Sequence, residues 1–207
     1  MGLAGLFLSN GGFVGALVLI DYQNVHKTAW ECFTSYGTPV YEALIHPGKF
    51  ADQAAWKWAA ANGETLLVER VLVYRGLPDP RKERLLNSRV SRQNAAWRKD
   101  ARVEVNTRPL RYPRDWPDEK AQEKGVDVML ALALVRAALD GKYDRIIIAT
   151  RDTDLLPAIE MAEEEKPGSV ILAAWDGQST LKASLALPSV SMGAAEYRKS
   201  RDTGDYR

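Results

Sequence analysis

The sequence predicts an α/β fold: a doubly wound, mainly parallel sheet of about five strands with helices on both faces. Three observations carry this. Five short apolar runs are rich in β-branched and aliphatic residues, segments of helical periodicity lie between them, and Gly or Pro marks several joints. With 207 residues and 46% apolar composition, the chain can fill one hydrophobic core, so residues 1–197 are expected to form a single domain.

Residues 13–20 are apolar and stop abruptly at Asp21-Tyr22-Gln23-Asn24, the pattern of a buried central strand with polar side chains at its carboxyl end. Residues 26–47 contain aromatics and Pro39 and are too long for a simple connection, so they are expected to be an insertion beside that strand end. Phe50, Ala54 and Trp58 repeat at helical spacing, which places Trp58 and Trp56 on different faces, one in the core and one at the surface. Residues 66–74 form the second expected strand, ended by Gly76 and Pro78-Asp79-Pro80. A charged helix follows over residues 81–99, with Leu86, Val90 and Trp97 on its packed face. Strands are expected at 102–107, 145–150 and 170–175, and helices at 126–139 and 155–165. The charged tail, residues 198–207, is expected to be disordered.

Composition excludes several functions. Lys and Arg total 28 against 27 Asp and Glu, so any nucleic-acid contact must be local. One cysteine, Cys32, and two histidines, His26 and His46, cannot build a structural zinc site, and Cys32 reads as a small hydrophobe. The first twenty residues lack Lys and Arg, and Asn10-Gly11-Gly12 breaks their apolar run, so neither a secretory signal nor a membrane contact is expected. A cytoplasmic protein follows.

In an open parallel sheet, ligands bind beyond the carboxyl ends of the strands where strand order reverses. Asp21 ends the first expected strand, and Asp152 follows the fourth in Thr150-Arg151-Asp152-Thr153-Asp154. Asp127 opens the helix leading into that fourth strand. Carboxylates crowded together repel, and a divalent cation removes the conflict. Oxygen ligands without thiolates point to Mg²⁺ or Mn²⁺, which hydrolyse phosphodiesters without a histidine base or serine nucleophile. Each acid also has a structural use: Asp21 in a turn with Asn24, Asp127 at a helix N-terminus, Asp154 as the cap of the helix carrying Pro157. The site reading rests on their common end of the sheet, which turn chemistry does not require.

Three ordered blocks resemble the signature of a known family. Val18-Leu19-Ile20-Asp21-Tyr22-Gln23-Asn24, Lys124-Gly125-Val126-Asp127-Val128 and Ile146-Ile147-Ile148-Ala149-Thr150-Arg151-Asp152-Thr153-Asp154-Leu155 are similar to those of the NYN domain family of the PIN-like nuclease superfamily, over residues 14–176. The resemblance implies a PIN-like fold and an Mg²⁺- or Mn²⁺-dependent endoribonuclease. Asp21, Asp127 and Asp152 would be its metal ligands and catalytic residues, and Asn24 and Asp154 match further positions of the signature; Thr150 and Arg151, beside Asp152, are expected as supporting residues. Arg151 departs from the family, which usually has a small residue there. The cation either contacts substrate phosphate or weakens metal binding, and the outward, phosphate-facing orientation is expected. RNA, single-stranded or structured, is the implied partner, with room for a homo-oligomer or an antitoxin-like protein.

Residues 75–120 hold 13 Lys or Arg against 7 Asp or Glu, the largest local positive excess. Arg81, Lys82, Arg84, Arg89, Arg92 and Arg98 are candidates to track an RNA backbone, and Tyr112 and Trp116 to stack on bases. The competing reading is a solvated helix face with Trp97 in the core. His26 is expected in a turn or at the surface. Two other functions compete: an RNA-binding or regulatory module with weak or no catalysis, for which Arg151 is the main argument, and a phosphohydrolase of small substrates. The second lacks both a two-acid nucleophile pattern after the first strand and a Gly-rich phosphate loop.

Overall fold

The computed structural model describes residues 13–177, 181 and 183–206; the start of the chain, where neither a signal nor a membrane contact is expected, lies largely outside them. The chain runs β1 (Val14–Asp21), α1 (Tyr22–Phe33), α2 (Pro47–Asn62), β2 (Leu66–Leu77), α3 (Arg84–Trp97), β3 (Val103–Pro109) and α4 (Val126–Asp140). It continues through β4 (Arg145–Ala149), α5 (Leu156–Glu165), β5 (Val170–Trp175), β6 (Ser189–Met192) and α6 (Ala194–Ser200), with 3-10 turns at Val40–Glu42 and Thr153–Leu155. One sheet has the order β3-β2-β1-β4-β5-β6, and every neighbouring pair is parallel. Strand order therefore reverses at the β1–β4 boundary, which puts the ends of β1 and β4 at the switch point.

The sheet separates two apolar layers. Val18, Ile20, Val71 and Val73 face a core completed by Phe50, Trp58, Trp97 and Tyr197, so α1, α2, α3 and α6 cover that side. Leu17, Leu19, Ile146 and Ile148 face the other layer, covered by Leu130 and Leu134 of α4 and Ile159 of α5. Residues 16–20 of β1 are buried throughout, as an apolar strand covered on both faces must be. Trp58 is buried and Trp56 is 54% exposed, as their spacing requires. Cys32 packs partly buried against the first core. Among the described residues no helix is long and apolar enough to cross a membrane.

Four details differ from the sequence reading. The sheet has six strands rather than five; β6 is only four residues long, too short for a period-2 signal to stand out. The segment expected as an insertion instead begins inside α1, because the Asp21 carboxylate accepts the Asn24 N–H at 3.1 Å and starts a helix burying Tyr22, Val25 and Ala29. The rest of that segment is tied back to α1 by the Trp30 indole, which donates to the Thr38 carbonyl at 2.6 Å. Leu86 is 43% exposed, so α3 packs through Val90 and Trp97 alone of its three expected contacts.

The tail is the fourth difference. Residues 198–200 complete α6, and Arg201 forms an antiparallel bridge with Ile45. Asp202 is buried and accepts the Trp97 indole N–H at 2.6 Å, the Gly204 N–H at 3.0 Å and the Tyr206 hydroxyl. Three donors satisfying one buried carboxylate hold in place a segment whose polar composition suggested disorder. Asp202→Ala leaves the Trp97 N–H buried without its acceptor, so it is expected to cost about 1–3 kcal/mol, read as a lowered midpoint in thermal unfolding.

Candidate active site

At the reversal point a cleft of about 510 Å³ opens beside the carboxyl ends of the strands. Asp21, Gln23, Asn24 and Lys27 line it from the β1–α1 corner, residues 123–127 from the start of α4, and Asp152 from the turn after β4. The three expected aspartates therefore share one cleft, and Asn24 lies with them.

Hydrogen bonds within the chain fix the site. Asp21 accepts from the Asn24 N–H through Oδ1, while Oδ2 accepts from the buried Thr150 hydroxyl at 3.1 Å. Thr150 Oγ1 also accepts the Asp152 N–H at 3.1 Å, so one hydroxyl links β1 to the β4 turn. Asp152 in turn accepts the Asp154 N–H at 3.0 Å and caps the Thr153–Leu155 turn. The structural uses of Asp21 and Asp152 thus coexist with their place in the cleft. Asp127 lies in the first turn of α4, whose N-cap is Gly125. Asp154 is exposed in the 3-10 turn and does not cap α5. Arg151 lines a small adjacent crevice with Val25, Phe50 and Trp175, rather than the carboxylate cleft.

Glu123 is the cleft carboxylate that sequence reasoning missed. Its Oε1 accepts the Gly76 N–H at 2.5 Å, which anchors it on the end of β2. Gly76 is needed for this approach: a Cβ there would meet Glu123 Oε1 at 2.8 Å and also strike Leu110 Cδ2. The only signal in the chain was its place directly before the Lys124-Gly125-Val126-Asp127 block.

Electrostatics mark the cleft as a place where negative charge is costly. Burial pushes the Asp21 carboxyl up to about 6, aided by the charges of Glu123 and Asp152 and opposed by the Asn24 and Thr150 hydrogen bonds. Burial raises Glu123 as well, with Asp127 adding repulsion and the Gly76 N–H and Arg75 opposing it. Among the described residues no three His, Cys, Asp or Glu side chains are already arranged to hold a metal ion. The side-chain donors around the cleft are nonetheless carboxylate and amide oxygens, without thiolate or imidazole, and their chemistry fits Mg²⁺ or Mn²⁺.

The cations are arranged in two groups. Lys27 and Lys124 line the cleft, and the Arg108 guanidinium stands 3.5 Å from where a Gly125 Cβ would be. Further away, Arg84, Arg89 and Arg92 are exposed along α3, Arg81 pairs with Asp79, and Arg98 donates to the Val105 carbonyl at 2.7 Å. Arg75 is internal: its guanidinium lies 4.6 Å from the Tyr22 ring centroid and 5.0 Å from that of Trp97, and it donates to Gln93 and Asn94. Tyr112 and Trp116 stand edge to face at 5.6 Å with the Lys82 ammonium over both rings. The Tyr112 hydroxyl donates to Glu83 at 2.6 Å and accepts the Asp79 N–H at 2.9 Å, so this pair is built into its loop. His26 lies within α1 rather than a turn; its Nε2 is 2.8 Å from the Val40 carbonyl, and burial lowers its pKa to about 4, so it is neutral.

Comparison with known proteins adds a family and a fold. The NYN domain model matches residues 16–187. A crystal structure of a protein of unknown function from Vibrio parahaemolyticus is similar in fold, with a TM-score of 0.54 at 18% identity, covering 91% of this chain and 96% of that one. No curated protein matches the chain.

Proposed function

The chain belongs to the NYN domain family, and we propose that it acts as a divalent-metal-dependent endoribonuclease. The observation that carries this reading is the meeting of Asp21, Asp127 and Asp152 in one cleft at the switch point of the sheet. Glu123 joins them as a fourth carboxylate. Asp21, Asp127 and Asp152 would hold the metal, which supplies charge neutralisation, Lewis acidity and an activated water when bound. Thr150 fixes the Asp21 carboxylate from one side and the Asn24 N–H from the other, so the acid is oriented before substrate arrives. Lys27 and Lys124 draw a phosphodiester into the cleft against its acidic lining.

The exposed cations of α3 extend this field. Reversing Arg84 and Arg89 to Glu is expected to weaken RNA binding and to flatten the dependence of log K on log salt by roughly 0.7 for each phosphate no longer neutralised, read by fluorescence anisotropy in EDTA. An unchanged salt slope would confine the RNA to the cleft lysines.

The reaction is tested by incubating pure protein with single-stranded and structured RNA in Mg²⁺, Mn²⁺ or EDTA. Internal cleavage with metal and intact RNA with EDTA are expected. RNA that is bound but stays intact in every condition would replace the enzyme by a binding module. Arg151 is the residue that favours such a module, and its position in a neighbouring crevice, outside the carboxylate cleft, weakens that case.

A further inference from the structure

Helix α4 is apolar on every side. Between Asp127 and Asp140 it carries one charged residue, Arg136, and a helix of this kind belongs in an interior. One side is buried through Val126, Leu130, Leu134 and Ala138. The other leaves Val128, Leu132 and Leu139 at 55%, 67% and 60% exposure, with Val135 half-buried among them. Residues 128, 132, 135 and 139 follow the alternating four- and three-residue spacing of a coiled-coil seam.

Beside this ridge lies a groove of about 760 Å³. It exists because α3, the connection between β2 and β3, packs on the opposite side of the sheet. Leu72, Tyr74 and Asn106 form its floor and Met129 and Ala133 its wall. The Asn106 Nδ2 is buried with no hydrogen-bond partner. An apolar ridge next to an apolar groove is self-complementary, the property that an isologous interface requires. The rim charges fit the same pattern: Arg70 with its partner Glu104, and Arg136 and Lys142 with Asp140, present both signs within one patch.

We propose that a second copy of this chain covers this surface, the exposed stripe of each α4 seated in the groove of the other about a two-fold axis. The sequence of α4 is then explained, since both of its faces are interior in the dimer. The interface lies along the helix that carries Asp127 at its start, so dimerisation holds in place an element of the carboxylate cleft without occupying it.

Sedimentation equilibrium of the full chain tests this without reference to RNA cleavage. The wild type is expected at twice the 23.0 kDa chain mass at tens of micromolar. Leu132→Glu and, separately, Leu139→Lys are expected to weaken the dimer at least tenfold, while Leu85→Glu, at an exposed position on α3, leaves it intact. Leu132→Gln, milder at a side chain already in solvent, gives the same direction should the charged variants fold poorly, and circular dichroism confirms the fold of each. A wild type that stays monomeric at 100 micromolar, or a dimer indifferent to all three α4 variants, overturns the proposal.

Discussion

Asp127→Asn is expected to lower metal-dependent RNA cleavage by more than about 100-fold, beyond the 10- to 100-fold that removing an indirect metal ligand costs, while leaving the fold intact. The reason for the split lies in where Asp127 stands. It is in the first turn of α4, but the N-cap is Gly125, so no capping hydrogen bond is removed. A carboxylate there gains about 0.3–1 kcal/mol from the helix dipole, and its repulsion with Glu123 works the other way. The metal-free variant is therefore expected within about 1 kcal/mol of the wild type, which urea unfolding measures beside single-turnover cleavage. A loss of several kcal/mol would make Asp127 a structural residue. Undiminished cleavage would remove it from the site.

The second large effect is on stability and concerns Asp21. Its carboxyl is raised to about 6 in the folded protein from an ordinary value of 3.8. Between those values the native state holds a proton that the unfolded chain has released, so stability attributable to Asp21 falls as pH rises through that window and stays reduced above it. Asp21→Asn escapes this cost. In metal-free buffer the variant is expected to gain on the wild type from pH 4 to pH 6, the difference approaching about 3 kcal/mol at neutral pH. Using the difference matters because His26 works in the opposite sense: with its folded pKa at about 4, it makes both proteins more stable as pH rises through the same region. Excess Mn²⁺ is expected to reverse the ranking by stabilising the wild type alone. A difference that does not change with pH would mean that the Asp21 charge is already compensated within the chain.

The fold was legible wherever hydrophobic pattern was dense. The β1, β4 and β5 runs are continuous and apolar, and Asp21, Asp127 and Asp152 could be placed at one end of the sheet from pattern alone. What escaped depends on contacts distant in sequence. Glu123 enters the cleft because the Gly76 N–H, 47 residues earlier, holds it, and no local pattern carries that. The ordered tail rests on Asp202 meeting Trp97 across 105 residues. Helix α1 was hidden differently: the polar residues that ended the β1 pattern are also its first turn, and Asp21 serves strand end, cap and cleft together. In the basic segment the charge excess was legible but its disposition was not. Arg75 turns inward between two aromatic rings, while Lys27 and Lys124, which line the cleft, and Arg108, beside Gly125, were not singled out.

The carboxylate cleft as a divalent-metal site is tested most directly by anomalous scattering from crystals of the full chain grown with Mn²⁺. The expected result is an anomalous peak in the cleft, within coordinating distance of Asp21, Asp127 and Asp152 oxygens, that disappears in Asp127→Asn. A saturated crystal with Mn²⁺ bound only elsewhere, or a cleft peak unaffected by loss of the Asp127 charge, would contradict it.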